Sequence, residues 1–250
     1  MKAVVLAAGY ATRLGAIAQD KPKQLLLVAG KPILSYIIEK VAALDSIDEI
    51  VVVCNARFFD DFKEWDNSFK HNCGSKFNKK ITVLNDGTTC KEERLGAIGD
   101  ICFAISSLNL NDDLLIVGGD NLFVDDLADL MNSFFSKGSS ILLNDVEDFE
   151  KAKLYGIAHL DEGGRIVAFE EKPEKPTSTL ASTLIYALQK KDLSLLREVV
   201  RLGIADRTGD FIRYAAKQRD IYGLPIKGKW FDIGSLEQLN EATEAFKDEN

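Results

Sequence analysis

Histidine is nearly missing from the chain: His71 and His159 stand alone among 250 residues. Two isolated imidazoles support neither a metal cage nor a catalytic triad. The four cysteines, Cys54, Cys73, Cys90 and Cys102, are scattered without a C-x-x-C pair. Such spacing argues against a zinc site and suits reduced thiols in a cytoplasmic protein better than a disulfide framework. No apolar run approaches the roughly 20 residues of a membrane span. The amino terminus enters a strand pattern at once, without the basic, apolar and small-residue zones of a signal peptide. Internal repeats and low-complexity segments are missing too. Positive charge is in deficit, with a formal net charge of −8. A nucleic-acid binder needs a basic face to displace counterions, so that class is disfavoured. Two familiar phosphate fingerprints are absent as well. After Gly9 the next glycine is Gly15, with Arg13 between them, so there is no G-x-G-x-x-G, and no G-K-[ST] occurs.

What is present is enough apolar residue, 46% of the chain, for one large domain with a sizeable core. In the first half, apolar strand runs alternate with helical spacing. Strands are expected at Lys2 to Ala7, Glu49 to Cys54, Ile81 to Leu84 and Leu114 to Val117. Helices are expected from Lys31-Pro32 onward, with Ile33, Leu34, Ile37, Ile38, Val41 and Leu44 inward, then at Arg57 to Phe69 and Leu95 to Leu108. Asn72 to Lys80 reads as loop. This alternation is the pattern of a doubly wound parallel sheet, whose ligands bind outside the carboxyl ends of the strands. The second half changes to hairpins. Strands are expected at Ser139 to Leu143, Tyr155 to Leu160, Arg165 to Glu170, Thr183 to Leu188 and Ile221 to Leu224. Helices follow at Leu193 to Leu202, Phe211 to Lys217 and Leu236 to Phe246. No linker interrupts the chain, so one domain spans 1–250, with residues 1–136 and 137–250 forming two functional halves.

Three polar clusters fall at the predicted strand ends. The first follows the opening strand, where Ala8 and Gly9 leave backbone N–H groups free to face an anion. Between Gly9 and Lys31 the cations Arg13, Lys21, Lys23 and Lys31 meet a single acid, Asp20. Each cation by itself also reads as a solvated loop charge. The second is Asp120, after Gly118-Gly119, whose hard carboxylate suits Mg²⁺ bridging to nucleotide phosphates; the alternative is a cap of the following segment. Asp232 is a second candidate ligand, its alternative an N-cap of the last helix, for which Ser235 is better placed. The third is Asn85-Asp86-Gly87, a turn signal. Farther on, Glu170-Glu171-Lys172-Pro173 offers Lys172 to an acceptor phosphate and Glu171 to sugar hydroxyls, or is an ordinary solvated strand end.

Leu6-Ala7-Ala8-Gly9-Tyr10-Ala11-Thr12-Arg13-Leu14, followed by Lys21-Pro22-Lys23-Gln24-Leu25, closely resembles the signature of the sugar-1-phosphate nucleotidyltransferases. Val117 to Asn121, Phe169 to Pro173 and Trp230 to Gly234 resemble the later motifs of that family in the same order, so the likeness spans almost the whole chain. It implies an α/β fold with the Rossmann-like, doubly wound mixed sheet of nucleotide-diphospho-sugar transferases. It also implies a Mg²⁺-dependent enzyme joining a nucleoside triphosphate to a sugar 1-phosphate. By the resemblance, Arg13, Lys23 and Asp120 are catalytic, and Asp120 and Asp232 hold Mg²⁺. Leu6, Ala7, Ala8, Gly9, Asn85 and Gly96 bind the nucleotide, with Ala97 also near the base. Gly156, Glu171, Lys172 and Thr183 belong to the sugar phosphate.

The sequence departs from the family pattern in three places. Ala11 replaces a usual glycine, Asp86 to Leu95 is longer and more polar than the usual base-reading turn, and Leu184 stands where glycine is common. Glucose 1-phosphate with dTTP is the default pair by family frequency, with guanylyl transfer to mannose 1-phosphate or cytidylyl transfer as alternatives. A glycosyltransferase would leave the Arg13 to Lys23 loop without a task, and a regulatory subunit would be expected to lose a phosphate or metal residue. The length leaves no room for the left-handed β-helix that some relatives carry. No nucleic-acid or membrane partner is implied, and a homo-oligomer stays open.

Overall fold

Residues 1–10, 21–74, 77–204 and 208–247 are described by the structure, a computed structural model. The opening apolar run forms β1 (Lys2–Leu6), and a small antiparallel ribbon, β2 (Leu27–Val28) with β3 (Lys31–Pro32), leads into α1 (Ile33–Ala42). Next come β4 (Glu49–Cys54), α2 (Phe59–Cys73), β5 (Lys80–Asn85), α3 (Gly96–Ser107) and β6 (Leu114–Gly118). β7 (Asn121–Phe123) and α4 (Ala128–Lys137) precede β8 (Ser140–Asp145), α5 (Phe149–Ala152), β9 (Gly156–Leu160), β10 (Ile166–Glu171) and β11 (Leu180–Leu188). The chain closes with α6 (Leu193–Arg201), α7 (Thr208–Gln218), β12 (Tyr222–Pro225), β13 (Trp230–Asp232) and α8 (Leu236–Ala245).

One nine-stranded sheet organises the molecule, in the order β10-β9-β11-β6-β1-β4-β5, with β8 beside β11 and β12 beside β8. β6, β1, β4 and β5 run parallel, while β11 is antiparallel to β6, β8 and β9. The parallel strands are apolar on both faces because both faces are covered. Ala3, Val5, Ile50 and Val52 point to α1, α2, α4 and α8, whereas Val4, Leu6, Val51 and Val53 point to α3, α6 and α7. Each such buried side chain contributes roughly 1.5–3 kcal/mol. A doubly wound mixed sheet is therefore present as expected. No helix among the described residues is long and apolar enough to cross a membrane.

Two local expectations change. Lys31 and Pro32 do not begin the helix; they pair with Val28 and Leu27, and Pro32 sits at the N-cap of α1. A proline has no N–H to give an intrahelical bond, so it stands before the first turn, and the N–H of the next residue, Ile33, donates to the Leu26 carbonyl at 3.0 Å. The expected loop at Asn72 is still helix, since α2 runs to Cys73 before Gly74 adopts a positive φ of 55°. All four cysteines are free, and burial, aided by the charge of Asp86, pushes the Cys54 thiol up to about 12.

Two features of this framework shape the crevice at the strand ends. Between Ser182 and Tyr186 the register of β11 against β8 shifts, and Leu184 takes φ = 57°. That conformation crowds the Cβ of an ordinary L-residue and is strained for a branched side chain. Gly in place of Leu184 relieves this strain, so Leu184→Gly changes unfolding free energy by less than about 1 kcal/mol. Ile185→Gly, one residue away, fully buried and in regular pairing with Val117, costs ~3 kcal/mol or more. Denaturant titration of the two variants checks the contrast, and equal losses would refute the strain.

The second feature is Asp100, carried into the interior by α3 and only 7% exposed. Burial, reinforced by the nearby charge of Asp86, raises its carboxyl to about 8. A raised acid binds its proton in the folded state and loses it in the unfolded state. Its stabilising effect is therefore complete in acid and lost as pH rises from about 4 to about 8. Relative to wild type, Asp100→Asn gains stability across that window, by at most ~1.4 kcal/mol per pH unit. Paired melts at pH steps check this; a constant difference would show that Asp100 titrates normally.

Candidate active site

A crevice of about 500 Å³ opens at the carboxyl ends of β1 and β6, beside the start of α3. β1 closes at Leu6, and its continuation is pinned from both sides. Ala7 N–H donates to the Val53 carbonyl at 2.7 Å, and buried Asn55 donates through Nδ2 to the Ala8 carbonyl at 3.0 Å. Gly119 N–H donates to the Leu6 carbonyl at 2.8 Å. A Cβ on Gly119 would lie 2.6 Å from that same oxygen, so this approach requires glycine. At Gly9 nothing lies within 4 Å of a Cβ position, and its backbone borders the open crevice.

Lys23 enters from the opposite wall. Pro22 holds the chain extended, and one tight turn at Lys23–Leu25 carries the lysine inward until it is 9% exposed. Its Nζ meets Asp120 Oδ2 at 2.5 Å. Asp120 Oδ1 accepts from Asn121 Nδ2 at 2.9 Å, and Asn121 Oδ1 accepts from Trp230 Nε1 at 2.7 Å. Burial alone would raise the Asp120 carboxyl, but the Lys23 charge and these hydrogen bonds outweigh it and hold it below the usual range. Asp120 is thus an anion whose orientation is set on both oxygens.

Asp232 reaches the same neighbourhood through the β13–β7 ribbon. It pairs with Asn121, and Ile233 N–H donates to the Asp120 carbonyl at 3.1 Å. Its own residue borders a neighbouring hollow with Tyr155 and Trp230. Ser235, not Asp232, caps α8, accepting from Gln238 N–H at 3.2 Å. Among the described residues no group of three or more His, Cys, Asp or Glu is placed to hold a metal. Mg²⁺ characteristically takes only one or two carboxylates and completes its shell with water and phosphate oxygens. Asp120, in the turn just before β7, and Asp232, on the strand paired with β7, are hard oxygen donors that fit that donor set.

The other end of the crevice is lined by Asp86, Leu95, Gly96, Ala97 and Asp100. Leu6, Ala8, Gly9, Lys23, Gly96 and Asp120 therefore share one crevice, while Ala7 is buried beneath it. Asn85 is not on its wall; the Asn85 Oδ1 accepts from Gly87 N–H at 2.8 Å and shapes the turn that presents Asp86. Gly156, Glu171 and Lys172 form a separate cluster where β9 meets β10. Gly156 pairs with Glu171, and a Cβ on Gly156 or Gly209 would come within 2.8 or 1.9 Å of Glu171 Oε2. Lys172 follows with a positive φ of 49° and donates its N–H to the Tyr155 carbonyl. Thr183 departs from its expected position: it is 1% exposed, and its hydroxyl donates to the Leu142 carbonyl at 2.9 Å. That hydroxyl serves the fold rather than a ligand. Arg13 lies outside the described residues.

Some site residues escape a reading by motif. Asp100 had a signal: it is the one charged residue in the otherwise apolar and small α3 segment GAIGDICFAISS. Asn121 and Trp230 sat inside motifs but had no assigned task, since only the ribbon brings them together 109 positions apart. Tyr10, whose hydroxyl donates to Thr88 Oγ1 at 3.0 Å, ties the first loop to the turn after β5.

Comparison with known proteins places the chain in a family. The nucleotidyl transferase family model covers residues 2–249. Glucose-1-phosphate thymidylyltransferase of Streptomyces antibioticus is 32% identical over 250 residues, covering 96% of this chain and 65% of that protein. The bifunctional protein GlmU of Methanocaldococcus jannaschii is 28% identical over 251 residues, covering 99% of this chain and 55% of that protein. The chain thus spans just over half to about two-thirds of these curated relatives. A solved UDP-glucose pyrophosphorylase complexed with UDP-glucose superposes with a TM-score of 0.82 at 22% identity, covering 100% of this chain and 99% of that one. With a family model that matches nearly its whole length and a doubly wound sheet of the same kind as these structures, the chain belongs to the nucleotidyl transferase family.

Proposed function

We propose that the protein transfers a nucleotidyl group from a nucleoside triphosphate to a sugar 1-phosphate, forming a nucleotide-sugar and pyrophosphate. The observation that carries this reading is the Lys23–Asp120 pair, its lysine buried and its carboxylate partly so, in the same crevice as the open backbone of Gly9. A lysine held there by a carboxylate can exchange that partner for phosphate oxygens. The Gly156–Glu171–Lys172 cluster on the antiparallel half supplies the acceptor side. Residues 1–136 thus serve mainly the triphosphate and residues 137–250 mainly the sugar phosphate. Glucose 1-phosphate with dTTP is the starting pair, because the Streptomyces antibioticus relative is named for that chemistry. Guanylyl and cytidylyl transfer are the alternatives.

An oxygen of the sugar phosphate forms a bond to the α-phosphorus as the bond to the bridging α–β oxygen breaks. The nucleophile is already anionic, so no general base is required, in keeping with a site lined by no histidine. Asp120 and Asp232 would hold Mg²⁺. When bound, Mg²⁺ supplies charge neutralisation at the phosphates. Lys23, together with Arg13, stabilises charge gathering on the departing pyrophosphate, while the Ala8 and Gly9 backbone fixes the chain of phosphates for in-line attack. Glu171 accepts from sugar hydroxyls, and Lys172 neutralises the acceptor phosphate.

Lys23→Ala and Asp120→Asn should each lower the rate of pyrophosphate release by about 10²–10³. Circular dichroism should show that both variants remain folded. Near-wild-type release by either variant would remove that residue from the mechanism, and no release by the wild type with any nucleotide and sugar phosphate would overturn the activity.

A further inference from the structure

Between the crevice and the hollow beside it run three hydrogen-bonded side chains, of which the transfer chemistry uses only the first. Asp120 Oδ1 accepts from Asn121 Nδ2, and Asn121 Oδ1 accepts from Trp230 Nε1 at 2.7 Å. Asn121 opens β7 and Trp230 opens β13, and the register of that ribbon sets Trp230 opposite Phe123 and Asp232 opposite Asn121. Gly118 makes room for the amide, since a Cβ there would lie 2.4 Å from Asn121 Nδ2. The amide is sealed in, with Asn121 only 3% exposed. The Trp230 ring meets Tyr155 edge to face, with centroids 5.6 Å apart, on the wall of the hollow that Asp232 also borders.

An asparagine amide can present its oxygen or its nitrogen to a neighbour, and here the two ends of the chain decide which. An indole N–H only donates, and an ionised carboxylate only accepts. With the indole on Oδ1, the amide must turn Nδ2 to Asp120. Without the indole, the amide is free to turn its oxygen to the carboxylate, where two acceptors repel. Burial keeps water from replacing either bond, so each lost partner leaves a costly orphan. The other carboxylate oxygen, Oδ2, is held by Lys23, the group that exchanges its partner for phosphate oxygens. Once Lys23 does so, the Asn121 amide keeps the carboxylate from swinging away.

We propose that Trp230 and Asn121 are positioning residues. The indole N–H fixes the amide, and the amide fixes the Asp120 carboxylate so that Oδ2 stays available to Lys23 or to Mg²⁺. The role of Asp120 in this proposal rests on the nucleotidyl-transfer reading. Trp230 acts on the reaction through its N–H and two intervening side chains, not through the reacting phosphorus.

Trp230→Phe keeps a ring against Tyr155 and loses the N–H; Asn121→Leu keeps the volume and loses both bonds. Each should raise the Mg²⁺ concentration for half-maximal pyrophosphate release about tenfold or more, as when a group orienting a metal ligand is removed. The double variant should be no worse than Asn121→Leu, because both changes interrupt one chain. Additive losses overturn the proposal. So does a lowered melting temperature with unchanged Mg²⁺ dependence, the result of a role confined to holding the ribbon together. A second readout needs neither turnover nor metal. In ¹⁵N-labelled protein the two tryptophans, Trp65 and Trp230, give two indole N–H signals. Asn121→Leu and Asp120→Asn should each move the Trp230 signal. The Trp65 signal should stay in place, since that N–H donates to Ser35 Oγ instead. A Trp230 signal indifferent to both changes overturns the chain, and should Asn121→Leu fail to fold, Trp230→Phe and the Asp120→Asn spectrum decide. If the wild type releases no pyrophosphate from any substrate pair, the transfer reading falls and the indole signals decide the positioning chain alone.

Discussion

The Lys23–Asp120 ion pair is the constraint to which the surrounding architecture answers. Both groups are drawn out of bulk water, and each carries a desolvation penalty that only the other offsets. Holding them together takes a tight turn after Pro22 and a glycine-permitted approach of Gly119 to Leu6. It also takes the two-stranded ribbon that sets Trp230 against Asn121. A buried pair of this kind is a weak source of stability, because apolar residues of the same volume often serve as well. What it fixes is geometry: a cation and an anion are held at set positions on the wall of one crevice.

Around that pair the sheet divides the labour. The parallel strands β6, β1, β4 and β5 end together and deliver backbone and acid groups to one crevice. The antiparallel strands β9 and β10 carry Gly156, Glu171 and Lys172 to a cluster of their own. β11 belongs to both halves, pairing with β9 at Ala181 and with β6 from Ile185 onward. The strained residue between those segments, Leu184, lines the crevice, so the irregularity falls where the strand changes partners. Strain at such a position persists only because the pairing on both sides over-determines it.

How legible this was depended on the range of the interaction. Strands buried on both faces announce themselves as continuous apolar runs, so Glu49 to Cys54 was readable to the residue. The acid after Gly118-Gly119 was readable because the strand had to end there. Lys31-Pro32 misled because proline at a helix start is a local preference, whereas its strand pairing with Leu27 is a contact between segments. Thr183 misled because alternation along a strand does not foresee a shift of register, and the shift leaves its hydroxyl on the Leu142 carbonyl. Asn85 falls off the crevice wall for a similar reason: a turn decides which of two adjacent polar side chains borders the crevice, and Asn85 is used to build the turn while Asp86 lines the wall.

The sequence alone determined the class of fold and marked the polar residues at its strand ends. Both rest on local patterns: apolar runs with small and polar residues at their ends. Tertiary structure decided which of those residues meet. It joined Lys23 to Asp120 across 97 positions and tied Asp120 through Asn121 to Trp230. It also buried Asp100 beside Asp86 at the far end of the crevice. The ionisation of a carboxyl depends on its desolvation and on the charges beside it, and both arise only when distant segments pack together.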